Sequence, residues 1–232
     1  MAERVIGMLI FPRLTQLDMT GPYEVLARLP NTKVHLISRD LDPVQTDRGM
    51  MIVPTITYAD CPQLDVIMVP GGPGQQDLME DAMVMKFLQR QARNAKYVTS
   101  VCTGSLVLGA AGLLKGKRAT SHWAAIDHLG LLGAIPVSEK VVVDGNVVTG
   151  AGVASGIDFA LALAAILEGE KVAREIQLQI EYDPAPPFNS GSPRTAAPET
   201  LTAVRGRLAP LNEQRREVAR RVGQKLGVPQ SK

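Results

Sequence analysis

The chain is poor in cysteine, aromatics and histidine and has almost no charge imbalance, and each shortage excludes something. Two cysteines, Cys61 and Cys102, make no disulfide framework and fit a reducing cytoplasm. Neither has CxxC or histidine-pair spacing, which argues against a metal site. A net charge of +2 over 232 residues gives the whole molecule no field for a nucleic-acid partner. No apolar run reaches the ~18 residues that a membrane span needs. The opening Met1-Ala2-Glu3-Arg4 leads straight into a strand-like run, so no secretory leader is expected. No internal repeat or long low-complexity tract breaks the chain. What is plentiful is apolar side chain, at 45%, which is ample for the core of one large α/β domain.

The stretch from Tyr97 to Leu114 organises the rest. Tyr97-Val-Thr-Ser-Val suits a short buried strand, and the small apolar residues after Thr103-Gly104-Ser105 suit a helix packed closely on a sheet. Cys102 then occupies the sharp strand–helix turn where a nucleophile elbow holds a reactive side chain. A helix N-terminus there favours a thiolate, so Cys102 reads as a nucleophile that is partly ionised at neutral pH. The competing reading is a small buried core residue.

Other strands and loops follow the same grammar. Arg4–Ile10 and Asp65–Pro70 read as strands buried on both faces, the first a near-continuous apolar run. Pro22 suits the first position of a helix carrying Val25, Leu26 and Leu29 inward, which places Asp18 in the preceding loop. Asp18 is either a turn residue or an acid at the sheet edge. Gly71-Gly72-Pro73-Gly74 ends the Asp65 strand; glycines there let backbone approach a bound group, or merely make a tight turn. Gln75–Ala95 reads as one long helix, with Leu78, Met79, Met83, Phe87 and Leu88 inward. His122 and the single tryptophan, Trp123, follow the elbow helix on a returning segment, either as a packed pair or as part of the site. Val137–Val148 reads as a hairpin, Ile157–Leu167 as a buried helix, and Glu199–Gly227 as a basic helix that is solvated or packs on another subunit.

Alternating strands and helices imply a mostly parallel sheet sandwiched by helices. Ligands of such sheets bind at the carboxyl ends of the strands, where Asp18, Gly72 and Cys102 converge. Residues 1–195 are expected to form this α/β domain, and 196–232 a C-terminal helical extension of it.

Four segments carry a resemblance. Leu17-Asp-Met-Thr-Gly-Pro-Tyr-Glu-Val-Leu26, Val69-Pro-Gly-Gly72, Ser100-Val-Cys-Thr-Gly-Ser-Leu106 and Ala119-Thr-Ser-His-Trp123 together resemble the ThiJ/PfpI superfamily. That likeness implies a flavodoxin-like, class I glutamine-amidotransferase-like fold with a nucleophile elbow. The block Tyr182-Asp-Pro-Ala-Pro-Pro-Phe-Asn-Ser-Gly-Ser-Pro193 is similar to the branch that hydrates isonitriles. It implies a lyase of the carbon–nitrogen class that converts R–N≡C and water to an N-substituted formamide, without metal or organic cofactor. By the same resemblance Cys102 is the nucleophile, Asp18 the acid/base and Thr103 the elbow residue beside them. Gly72 and His122 are expected to bind substrate or developing charge. A cytoplasmic homodimer acting on a small isonitrile, with no nucleic-acid or membrane partner, is the expected setting. The wider superfamily often carries glutamate where Asp18 stands and histidine where Thr103 stands. The departure argues against a PfpI-type peptidase and weighs less heavily against a glyoxalase or deglycase. A redox sensor, a ligand-sensing regulator or a glyoxalase/deglycase-like enzyme of the same superfamily is the competing reading of the same domain.

Overall fold

A computed structural model describes residues 3–229. The chain begins with β1 (Arg4–Leu9), α1 (Gln16–Leu26) and β2 (Thr32–Ser38), then three two-residue strands, β3 (Val44–Gln45), β4 (Met51–Ile52) and β5 (Ile56–Thr57). Next come β6 (Val66–Val69), α2 (Gln75–Leu78), α3 (Ala82–Ala92), β7 (Tyr97–Val101) and α4 (Gly104–Ala110). A small excursion of β8 (Arg118–Ala119), α5 (His128–Leu131) and β9 (Ile135–Pro136) precedes the hairpin β10 (Val141–Asp144) and β11 (Val147–Gly150). Three helices close the chain: α6 (Ser155–Glu168), α7 (Glu170–Gln179) and α8 (Pro198–Lys225).

Seven strands form the main sheet in the order β10-β11-β7-β6-β1-β2-β5. Every pairing is parallel except that of β10 with β11. The five central strands, taken in chain order, follow the 2-1-3-4-5 winding of flavodoxin-like proteins, and the order reverses between β1 and β6. Central strands are apolar on both faces because helices cover both: Ile6, Met8, Leu9, Val66, Ile67, Met68 and Val69 are fully buried. At the switch point the turns that follow β1 and β6 meet directly, Thr15 N–H donating to the Gly71 carbonyl at 3.0 Å and Gly74 N–H to the Arg13 carbonyl at 3.2 Å, and the elbow after β7 packs against them.

Local chemistry explains where elements depart from expectation. Pro22 lies inside α1 instead of opening it. As the seventh residue of the helix it has no N–H to give the Asp18 carbonyl, so the ladder loses one bond there. Asp18 is therefore held on the first turn of α1 and not in the loop before it. The single helix expected over Gln75–Ala95 is two, because Asp81 caps a fresh start by accepting from Met83 N at 2.8 Å and Val84 N at 3.3 Å. Met83, at the first turn of that second helix, is 46% exposed and not inward. The segment bearing His122 is a loop after β8, and β8 pairs with β9 in a small sheet of its own. The basic C-terminal helix packs on α2, α4 and α5, burying Arg215, Ala219 and Val222.

Candidate active site

Cys102 stands between β7 and α4 with φ 57, a left-handed conformation that side chains other than glycine seldom adopt. Its backbone is clamped in that pose. The N–H donates to the carbonyls of Gly150 at 3.0 Å and Ala151 at 2.9 Å. The carbonyl accepts from Ser105 Oγ at 3.1 Å and Ser121 Oγ at 3.0 Å. Gly104 follows because a side chain there would meet the Val69 carbonyl oxygen at 2.0 Å. The elbow helix is thus pressed onto the end of β6.

Asp18 reaches the elbow from α1. It is fully buried, and its Oδ2 accepts from the Gly71 N–H at 3.0 Å. Oδ1 has no well-formed hydrogen bond, yet the carboxyl and the Cys102 thiol are close enough to interact directly. We read this as an open polar contact, not a locked bond. Gly71 has to be glycine: a Cβ would lie 2.6 Å from Thr103 N and 2.7 Å from Asp18 Oδ2. The next N–H, of Gly72, does not face open space for a bound group; it donates to Thr103 Oγ1 at 3.1 Å. One two-residue turn therefore holds the carboxyl with its first N–H and the elbow threonine with its second.

Electrostatics of the pair follow from burial. Desolvation pushes Asp18 up to about 7; contact with Cys102 and the Gly71 N–H pull it back, Asp47 raises it further and Arg215 lowers it. Desolvation also pushes the Cys102 thiol well above its ordinary value, and the Asp18 charge adds to that; the Thr103 N–H and Arg215 act against them. The partly ionised thiol expected from the helix terminus is thus corrected. α4 is only seven residues long, and its one opposing N–H is outweighed by burial. Burial and the repulsion between them disfavour a charge on both groups at once near neutral pH.

A cleft of about 390 Å³ opens beside the elbow, lined by Ser121, His122, Trp123, Ile126, Gly152 and Pro193 among others. Cys102 is 5% exposed and does not itself line it. His122 Nδ1 accepts from the Ala124 N–H at 3.2 Å, which leaves the ring proton on Nε2. Burial first, and Arg215 second, lower its pKa to about 4, so the ring is neutral at pH 7. It stacks beside Trp123 with centroids 5.5 Å apart. Gly191, Ser192 and Pro193 bring the end of the proline-rich block to the cleft, while Tyr182 anchors its start by donating to Asp158 Oδ1 at 3.1 Å.

The profile of the DJ-1/PfpI family matches residues 4–166. The chain belongs to the DJ-1/PfpI family. Among its relatives is an isonitrile hydratase of Pseudomonas putida, 56% identical over 223 residues that span 96% of this chain and 98% of that one. The crystal structure of a ThiJ/PfpI family protein from Pseudomonas syringae is 44% identical and superposes with a TM-score of 0.92, covering 94% of this chain and 91% of that one. A DJ-1 superfamily protein of Salmonella typhimurium is 28% identical with a TM-score of 0.69, over 77% of this chain and 98% of that one.

Within this DJ-1/PfpI site two residues carry no signal in the sequence. Arg215, on α8 and outside the span matched by the family profile, is only 5% exposed and donates from Nη2 to the Gly72 carbonyl at 3.4 Å. Gln75, fully buried at the start of α2, sets its side-chain amide against Arg215; with the amide oxygen assigned to that side, both of its neighbours are satisfied, Arg215 Nε at 3.2 Å and the Gln76 N–H at 3.3 Å. Arg215 is one of many cations on its helix, and no local pattern singles it out. Among the described residues no group of three or more His, Cys, Asp or Glu could hold a metal ion, and no helix is long and apolar enough to cross a membrane.

Proposed function

We propose that the protein hydrates isonitriles to N-substituted formamides, a lyase reaction, with Cys102 as nucleophile and Asp18 as the acid and base. The observation that carries this reading is the 56% identity to an isonitrile hydratase across nearly the full length of both chains. The pocket supports the chemistry. The thiol is 5% exposed and lies beside the cleft, behind Ser121 and Ala151, and so little exposure suits a terminal, slender –N≡C group better than a branched carbonyl.

The steps follow from one proton shared between two groups. In the reactive arrangement the proton sits on Asp18 and the charge on sulfur. The thiolate adds to the terminal carbon, Asp18 delivers its proton to that carbon, and a thioimidate, R–N=CH–S–Cys102, results. Asp18, now a carboxylate, takes a proton from water as the hydroxyl adds to the same carbon. That proton passes to nitrogen, giving R–NH–CH(OH)–S–Cys102. Collapse forms the formamide carbonyl, breaks the C–S bond and returns the hydroxyl proton to the thiol–carboxyl pair. Thr103 keeps the elbow registered against the Gly71-Gly72 turn, and the neutral Nε2–H of His122 orients substrate within the cleft.

Cyclohexyl isonitrile offered to the purified protein should disappear with stoichiometric formation of its formamide. Absence of formamide under conditions that preserve the fold would reject the reading. We further propose a homodimer, since Leu178 and Phe188 are 82% and 77% exposed around the proline-rich block. Sedimentation as a monomer at micromolar concentration would refute it.

A further inference from the structure

Two arginines on α8 point to different jobs. Arg221 lies at the surface and pairs with Glu80 at 2.9 Å, an ordinary exposed ion pair. Arg215 is buried, and among the described residues its guanidinium has no carboxylate in ion-pairing range. It is satisfied by neutral acceptors: the Gly72 carbonyl at 3.4 Å, Asn212 Oδ1 at 3.2 Å and the Gln75 amide oxygen at 3.2 Å. A buried cation without a counter-ion is costly to a fold, and a residue that served only to pin the helix would do so at less cost with a neutral side chain. The place of this charge is specific. Gly72, whose carbonyl it holds, gives its N–H to Thr103, and the preceding residue gives its N–H to Asp18.

We infer that Arg215 is a positioning residue of the active site, fixing the Gly71-Gly72 turn and supplying the buried positive charge against which the Cys102–Asp18 pair holds its single negative charge. The inference rests on reading that pair as nucleophile and acid. It explains why a chain that buries a carboxyl and a thiol together also buries a guanidinium from a helix more than a hundred residues away in sequence. The cation favours the anionic forms of both Asp18 and Cys102, and it disfavours protonation of His122 and His128. Asp47 opposes it at Asp18, and Arg216 joins it against His128. Burial in turn holds Arg215 below its ordinary value, while the charges of Cys102 and Asp18 raise it.

The test reads the pair without substrate. The rate of Cys102 alkylation by iodoacetamide, followed by peptide mass spectrometry across pH, should show its first inflection where the pair gains its charge, near the Asp18 value of about 7. Arg215→Met keeps an unbranched apolar stem and removes the charge. It should move that inflection upward by about one pH unit and shift the acid limb of kcat/KM by the same amount. Arg215→Lys, which keeps the charge and loses the planar fork, should leave the inflection within about 0.3 unit of wild type. A purely structural arginine would lower the melting temperature of Arg215→Met and leave the inflection where it was, and that result would overturn the inference. Should Arg215→Met fail to fold, Arg215→Lys decides alone: a full-unit rise with the charge retained rules out the charge role. The nucleophile reading is judged separately, by whether Cys102→Ala turns over an isonitrile.

Discussion

Cys61 and Cys102 are both buried thiols, one in a loop and one at a strand–helix turn, and their surroundings separate them. Cys61 lies in the loop before β6, is 9% exposed within the hydrophobic core, and makes weak polar contacts with the Pro62 carbonyl at 3.4 Å and the Gln91 side-chain amide at 3.8 Å. Burial pushes its thiol up to about 11, and Arg90 pulls against that without offsetting it. Cys102 is desolvated more deeply still, yet it has what Cys61 lacks: a carboxyl that can take its proton, a cation that tolerates the resulting charge, and a backbone forced into positive φ. Burial alone makes a thiol inert. A proton acceptor and a counter-charge buried with it turn the same desolvation into a reactive pair.

The largest difference expected between the two sites is in turnover. Cys102→Ala should reduce formamide production by about 10⁴-fold or more, while Cys61→Ala should stay within about twofold of wild type. Comparable losses in the two variants would mean that the thiol acts through the fold and not through the chemistry. Next comes the proton partner. Asp18→Asn keeps an oxygen that can accept from Gly71 and loses the transferable proton, so turnover should fall by about 10²–10⁴-fold. Its stability should change in the opposite direction and with a definite sign. The folded-state value of Asp18 is raised from 3.8 to about 7, so the wild-type fold loses stability as pH climbs through that interval, and the penalty is complete above 7. The asparagine variant escapes it. Its stability relative to wild type should therefore improve between about pH 4 and pH 8, by up to roughly 4 kcal/mol. Denaturant melts showing no change across that range would place the carboxyl in a far more solvated setting than the structure gives it.

The contrast between the cysteines is partly written in the sequence. Tyr97–Val101 followed by small residues announces an elbow because buried strands and close helix packing leave local signatures, and the glycines after Val69 mark the neighbouring turn. The parallel sheet and its site edge are legible for the same reason, since apolar runs and glycine punctuation are short-range properties. Pairings that depend on distant residues are not legible. Asp81 ends one helix and starts another through two hydrogen bonds, which a periodic pattern running from Leu78 to Leu88 conceals. Pro22 reads as a helix start from its ring, whereas tertiary packing begins that helix at Gln16. The resting charge of Cys102 is hidden because a helix terminus is visible in sequence and the depth of burial is not. Arg215 looks like its six basic neighbours until the fold seats it under the Gly72 carbonyl.

The smallest effect is also the sharpest test of how differently the two cysteines are held, because it should reverse sign between them. Cys102 carries φ 57, whereas Cys61 is not among the positive-φ residues. Alanine at 102 keeps a Cβ in a region that disfavours one, and glycine releases it, so Cys102→Gly should be more stable than Cys102→Ala by about 0.5–1 kcal/mol. At 61 the backbone gains nothing from glycine and the unfolded chain becomes more flexible. Cys61→Gly should therefore be less stable than Cys61→Ala by a similar amount, about 0.5–1 kcal/mol. Urea melts of the four variants give the two differences directly. If glycine is the worse residue at both positions, the elbow is not strained, and the fold maintains the pose of its thiol at no conformational cost. If the signs oppose, the strain is confined to the residue that the chemistry needs, and the Gly150, Ala151, Ser105 and Ser121 hydrogen bonds to its backbone are what sustain it.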